Sequence, residues 1–229
     1  MTHQPSLFVS PSTGPRLTRE AALERLRDLL GRDLRALGRA HGVTFEREGA
    51  RNKGWAGQVV ERCLGLAADG QQLPDFGDWE LKVVPLVERK DGVLVPRETM
   101  AITMFTAADL ERDFEASHLY DKLRRLVVVA RIYEGPDEAR SLVYDARAFD
   151  LDAPGLLAAV AADYDEIRWV ARNEGLAALT GRVGRLVQPR PKGDGRLADG
   201  HAFYARKAFV ARMLGLEGAD TAYDEDESV

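Results

Sequence analysis

Leucines recur at three- and four-residue intervals at Leu23, Leu26, Leu30, Leu34 and Leu37. That spacing predicts one amphipathic helix over residues 18–39, with Thr18 as its N-cap. A second helical pattern over residues 54–67 puts Val60, Cys63, Leu64 and Ala67 on its buried side. After a loop over 68–74, the stretch from Trp79 to Leu86 reads as a strand, and a turn at 91–93 leads to another near 99–106. Residues 116–125 read as helix, and the β-branched run 126–133 as a buried strand. The turn Glu134-Gly135-Pro136 enters a short strand at 141–144, and a helix runs from about 155 into the 170s. A basic strand or loop over 182–192 and a loop over 193–200 precede a last helix over 202–216. Strands and helices alternate without regular βαβ spacing. The expected fold class is therefore α/β, a mixed sheet flanked by helices rather than a doubly wound one.

Composition narrows the function classes. The chain has 229 residues, enough for one substantial core or one core in two lobes. Cys63 is the only cysteine, which excludes an intramolecular disulfide and a thiolate zinc cluster and fits a reducing, cytosolic compartment. No apolar run approaches the ~18 residues of a membrane span, so no membrane partner is expected. The formal charge of −5 is unevenly spread. Six acids and no base lie from Glu217 onward; without them the chain carries 32 bases against 31 acids. Between Arg182 and Arg212 stand eight bases and two acids, a density suited to phosphate or to an ordinary solvated face. Residues 1–17, rich in Pro, Ser and Thr, read as a flexible arm, and 217–229 as a disordered acidic tail.

The segment with the clearest chemistry is Pro74-Asp75-Phe76-Gly77-Asp78-Trp79-Glu80-Leu81-Lys82. In a strand, alternate side chains share a face, so Glu80 and Lys82 point the same way, roughly 6–7 Å apart. Trp79, Leu81 and Val83 then face the core. Phosphodiester hydrolysis needs an activated water and stabilisation of growing negative charge. Carboxylates such as Asp75 and Glu80 can hold a hard divalent cation for both purposes, and Lys82 can orient the water or meet the charge. Such a triplet also arises by chance in charged proteins, and an ordinary cross-face ion pair is the competing reading.

Four ordered blocks carry a more specific signal. They are Arg51-Asn52-Lys53-Gly54-Trp55-Ala56-Gly57 with Glu61; Asp75-Phe76 with Glu80-Leu81-Lys82; Glu115-Ala116-Ser117-His118 with Lys122; and Arg190-Pro191-Lys192 with Phe203-Tyr204-Ala205-Arg206-Lys207-Ala208-Phe209. In these blocks the chain resembles the MutH/Sau3AI family of DNA endonucleases, built on the PD-(D/E)xK nuclease core. The resemblance implies a restriction-endonuclease-like fold over 18–216, in two lobes around a DNA cleft. It implies that Glu61, Asp75 and Glu80 ligate Mg²⁺, with Mn²⁺ as a substitute, and that Lys82 assists the attacking water. Lys53 and Lys122 match family lysines near the active site or the scissile phosphate. Arg190, Pro191 and Lys192 match a base-reading loop, Tyr204 matches a residue that senses adenine methylation, and Arg206 and Lys207 belong to the same DNA-binding block. Ser117 is an expected N-cap. The interval between Asp75 and Glu80 is shorter than the family's and leaves Asp78 as a competing ligand. Ala101 stands where a DNA-wedging phenylalanine is expected.

The implied activity is nicking of the unmethylated strand at GATC-like sites in mismatch repair, by a bacterial, nucleoid-associated monomer that a MutL-type partner activates. The alternatives are a type II restriction endonuclease, with a homodimer making paired cuts, and a DNA-binding module without catalysis. The N-terminal arm adds Gln4-Pro5-Ser6-Leu7-Phe8, which resembles peptides that bind the bacterial sliding clamp through Gln4, Leu7 and Phe8.

Overall fold

In the computed structural model the leucine stripe forms two helices, not one: α1 (Arg19–Arg27) and α2 (Leu34–Ala40). The structure describes residues 17–47, 50–65, 78–135, 137–153, 155–191 and 200–216. Thr18 caps α1 as expected, its hydroxyl accepting from Ala21 N. The break has a tertiary cause. Gly31, at φ +72°, turns the chain so that its N–H donates to Val143 O at 2.8 Å, while Val143 N donates to Arg32 O at 2.9 Å. Asp33 then caps α2 and also accepts from Ser141 N at 2.9 Å. Leu30, assigned to the buried stripe, is 43% exposed.

A small hairpin of β1 (Glu46–Arg47) and β2 (Ala50–Arg51) leads into α3 (Trp55–Cys63), which ends earlier than expected. The central sheet contains β3 (Glu80–Glu88), β4 (Leu94–Pro96), β6 (Arg125–Ile132) and β7 (Val143–Asp150), in the order β4-β3-β6-β7. Only β3 and β6 run parallel; the other pairs are antiparallel, so the sheet is mixed. A second sheet, in the order β5-β9-β8, joins β5 (Met100–Phe105), β9 (His201–Ala205) and β8 (Val187–Pro191). Three further helices are α4 (His118–Leu123), α5 (Leu156–Asn173) and α6 (Lys207–Leu214).

The expected helix over 202–216 is thus a strand followed by a helix. Residues 201–205 are held between β5 and β8, and pairing on both sides overrides their helical pattern. Phe203 turns inward and stacks on Phe105 at 4.2 Å between ring centroids. The strand placed at 141–144 instead begins at Val143 and continues to Asp150. Its residues alternate poorly because β7 is a sheet edge with several exposed positions.

Both faces of the central sheet are covered, which fits the near-continuous apolar run of β6. Trp79, Leu81, Val127 and Val129 pack beneath α1 and α3. On the opposite face Val84, Leu86, Val128 and Ala130 join the larger core with β5, β9, α5 and α6. This is a mixed α/β architecture with helices flanking the sheet, as expected. No helix among the described residues is long and apolar enough to cross a membrane. The arm (to residue 16), the loop 68–74, Asp75, Lys192 and the tail from 217 lie outside the described residues, and so do Gln4, Leu7 and Phe8.

Candidate active site

β3 begins at Glu80, and the strand alternation that buries Trp79 and Leu81 on one face sends Glu80 and Lys82 to the other. Glu80 is 3% exposed, and its Oε1 accepts from Lys82 Nζ at 2.7 Å. A third residue arrives from 42 positions away: Lys122 Nζ donates to Glu80 Oε2 at 2.8 Å. α4 delivers it. Ser117 caps that helix, accepting from Tyr120 N at 3.2 Å, and its own hydroxyl donates to Phe114 O at 2.6 Å. The chain then passes directly into β6, whose Leu126 pairs with Glu80. Parallel pairing of β3 and β6 therefore sets the last turn of α4 over the start of β3.

These three side chains carry one carboxylate and two ammonium groups, a combination that favours an incoming anion. Lys82 Nζ also donates to Ile102 O at 3.3 Å, tying the cluster to β5. Asp78, the possible competing ligand, forms an exposed ion pair with Arg125. Glu61 lies half-buried on α3, which packs against β3. Its Oε1 runs back along the helix, 4.0 Å from where a Cβ on Gly57 would stand. Lys53 is exposed at the entry to α3. Asn52 shapes that entry, accepting from Gly54 N at 3.2 Å and donating to Thr44 O at 2.7 Å.

No group of three His, Cys, Asp or Glu side chains is gathered as a metal site among the described residues, and Asp75 is outside them. The donor set nevertheless suits a hard divalent cation. A carboxylate is the hard oxygen donor that such an ion takes, and both Glu80 oxygens are held in place by the ammonium groups of Lys82 and Lys122.

A second group forms on the outer face of the three-stranded sheet. Ala101, Tyr204 and Gln188 are directly opposite one another across β5, β9 and β8. The exposed Arg190 guanidinium sits 5.9 Å from the Tyr204 ring centroid. Pro191 is exposed beside it and pairs with His201. Arg206, expected in the DNA-binding block, is engaged with the protein: its guanidinium donates to the carbonyls of Gly181 at 2.6 Å and Gly184 at 2.8 Å. Lys207 is half-buried at the start of α6. The sheet links the two groups, because Ile102, which receives Lys82, follows Ala101, which faces Tyr204.

Two organising residues carried no sequence signal. Asp163 on α5 is 3% exposed, and its carboxylate accepts from three consecutive backbone N–H groups: Arg185 and Leu186 at 2.7 Å and Val187 at 2.8 Å. Arg112 approaches His118 at 3.5 Å, and the His118 ring is 3.8 Å from Asp109. Burial raises the Asp109 carboxyl pKa. Hydrogen bonds from Thr106 and the charges of His118 and Arg112 outweigh that and hold it below the ordinary value.

Comparison with known proteins supplies the family. The family described as "DNA mismatch repair enzyme MutH" matches residues 64–149. A DNA mismatch repair protein MutH from Haemophilus ducreyi is 30% identical over 72% of this chain and 78% of its own length. One from Shewanella woodyi is 30% identical over 77% of this chain and 76% of its own. One from Klebsiella pneumoniae is 27% identical over 90% of this chain and 95% of its own.

Proposed function

Because the chain belongs to the MutH family and is an endonuclease acting on DNA, we propose that it is a Mg²⁺-dependent nickase of the unmethylated strand at GATC-like sites in mismatch repair. The observation that carries this reading is the buried Glu80 carboxylate held between Lys82 and Lys122. Glu80, with Asp75 and Glu61, would hold the metal ion, which supplies a more acidic bound water and offsets phosphate charge. Lys82 donates from a compact ammonium group toward the attacking water. Lys122, fixed on the other Glu80 oxygen, meets the negative charge that grows on the scissile phosphate. Lys53, at the open entry to α3, contacts the backbone of the same strand.

Sequence is read by the second group. Arg190 offers a two-pronged donor suited to guanine O6 and N7, Pro191 stiffens the end of β8, and Lys192 belongs to the same reading segment. Tyr204, beside Arg190, is crowded by an adenine N6-methyl group, which distinguishes the two strands of a hemimethylated site. Arg206 supports this surface from below through the 181–184 loop, and Lys207 contributes positive charge. Double-stranded DNA is the substrate, a MutL-type protein the activator, and the protein acts as a monomer at the nucleoid.

The test is digestion of a supercoiled plasmid with Mg²⁺, followed by sequencing of the cut ends. Open circles at one recurrent site are expected, with cutting suppressed when both strands are methylated; linear product without an open-circle stage would mean paired restriction cutting. A DNA-binding module without catalysis would leave the plasmid intact. The arm has its own test. Gln4, Leu7 and Phe8 tether the nuclease to the sliding clamp, so deleting residues 1–10 is expected to abolish clamp pull-down while plasmid nicking stays at the full-length rate. Retained pull-down would refute the tether.

A further inference from the structure

Gln188 lies at the middle of the base-reading surface, yet it is 1% exposed, and its Nε2 has no hydrogen-bond partner among the described residues. Buried side-chain amides are nearly always satisfied, because removing N–H groups from water without an acceptor is costly. This orphan lies just beneath the surface that Tyr204 and Arg190 present. It is directly opposite Tyr204 on the neighbouring strand and two residues before Arg190, on the same face of the sheet. The 181–184 loop, held by Arg206, closes over it. A Cβ built on Gly181 would stand 3.4 Å from Gln188 Oε1 and 3.7 Å from Arg190 Nε. The carboxamide and the base of the guanidinium therefore share one small space under Gly181.

We propose that Gln188 is a positioning residue for base reading: its Oε1 orients the Arg190 guanidinium, and its Nε2 is reserved for an acceptor on the base edge that Arg190 engages. This rests on the assignment of Arg190 and Tyr204 to DNA. The chemistry is complementary. A guanidinium that forks onto a base with its two terminal nitrogens leaves its Nε–H free for a protein oxygen, and the amide then presents its own N–H groups beside the same base. Binding thus removes the cost of the orphaned donor only when the correct acceptor arrives. A phosphate oxygen would satisfy the donor equally on every sequence, so discrimination separates the two sources.

The experiment compares wild type, Gln188→Met and Gln188→Glu as full-length proteins. Each is assayed on duplexes carrying the mapped cut site and every single-base variant of it, with kcat/KM, Kd and Tm measured for each. Met keeps the length of the side chain without its polar atoms, and Glu keeps an acceptor for Arg190 but lacks the donor. Both are expected to lose about tenfold in discrimination between the cognate and variant duplexes, mainly through Kd. The Met variant is expected to melt no lower than wild type, a combination that a packing role does not produce. Discrimination within twofold of wild type in either variant overturns the proposal. So does an equal loss on all sequences, or a lowered Tm without selective loss. If wild type itself cuts without sequence preference, the assignment of Arg190 and Tyr204 fails, and this proposal fails with it.

Discussion

Replacing Lys82 with alanine is expected to cut the nicking rate by at least about a thousandfold in Mg²⁺ and in Mn²⁺, with little change in Tm or DNA affinity. The ammonium is one of two that anchor the buried Glu80 carboxylate, and its side chain is 18% exposed, so it can meet solvent and substrate. Its loss leaves Glu80 paired with Lys122 at 2.8 Å, which is why the fold survives. Under the proposed role catalysis would not survive, because a preorganised charge at the proposed reacting centre has no replacement in bulk water. Lys82→Arg should fail to rescue, since a planar fork does not occupy the point position of an ammonium. Lys122→Ala is expected to slow nicking and also to lower Tm, because Lys122 is nearly buried and Glu80 would lose its inner partner. Plasmid relaxation under single-turnover conditions measures both rates, and thermal denaturation measures the Tm. A Lys82→Ala protein that nicks within tenfold of wild type would remove Lys82 from the chemistry.

Asp163→Ala is expected to destabilise the protein by about 3–5 kcal/mol, roughly a 10 °C fall in Tm. Its carboxylate accepts from three successive N–H groups just where the chain enters β8. Alanine would leave those donors buried without an acceptor. Asparagine is also expected to destabilise, because its NH₂ group would face N–H donors. The turn has little freedom to adapt: Gly184 adopts φ +77°, and a Cβ there would come within 1.9 Å of Val187 O. Since β8 carries Gln188 and Arg190, partial unfolding of this turn should weaken DNA binding before global unfolding. Urea denaturation gives the stability change, and hydrogen exchange at residues 185–187 locates it. Unchanged exchange there would show that the carboxylate does not hold the turn.

Much of β3, the strand of the candidate site, was legible from the chain alone. Two-residue periodicity placed Glu80 and Lys82 on one face and Trp79 and Leu81 on the other, and the structure buries them accordingly. The Ser117 cap and the β-branched run of β6 were equally local signals. The leucine stripe was a local signal too, but it misled. Helical spacing continues through Leu30, while the backbone at Gly31 and Arg32 gains two hydrogen bonds from Val143 by leaving the helix.

Local patterns in the chain were enough to assign the chemistry of individual segments: which residues alternate, which cap, and which blocks match a DNA endonuclease. The folded arrangement was needed to show that Lys122 meets Glu80, that residues 201–205 form a strand, that Arg206 supports a loop, and that Gln188 Nε2 is buried with no hydrogen-bond partner among the described residues. The difference is one of range. Periodicity reports how a segment presents its faces to water, over a few residues. Strand pairing, burial and charge contact depend on which distant segment lies opposite, and no local pattern encodes that neighbour.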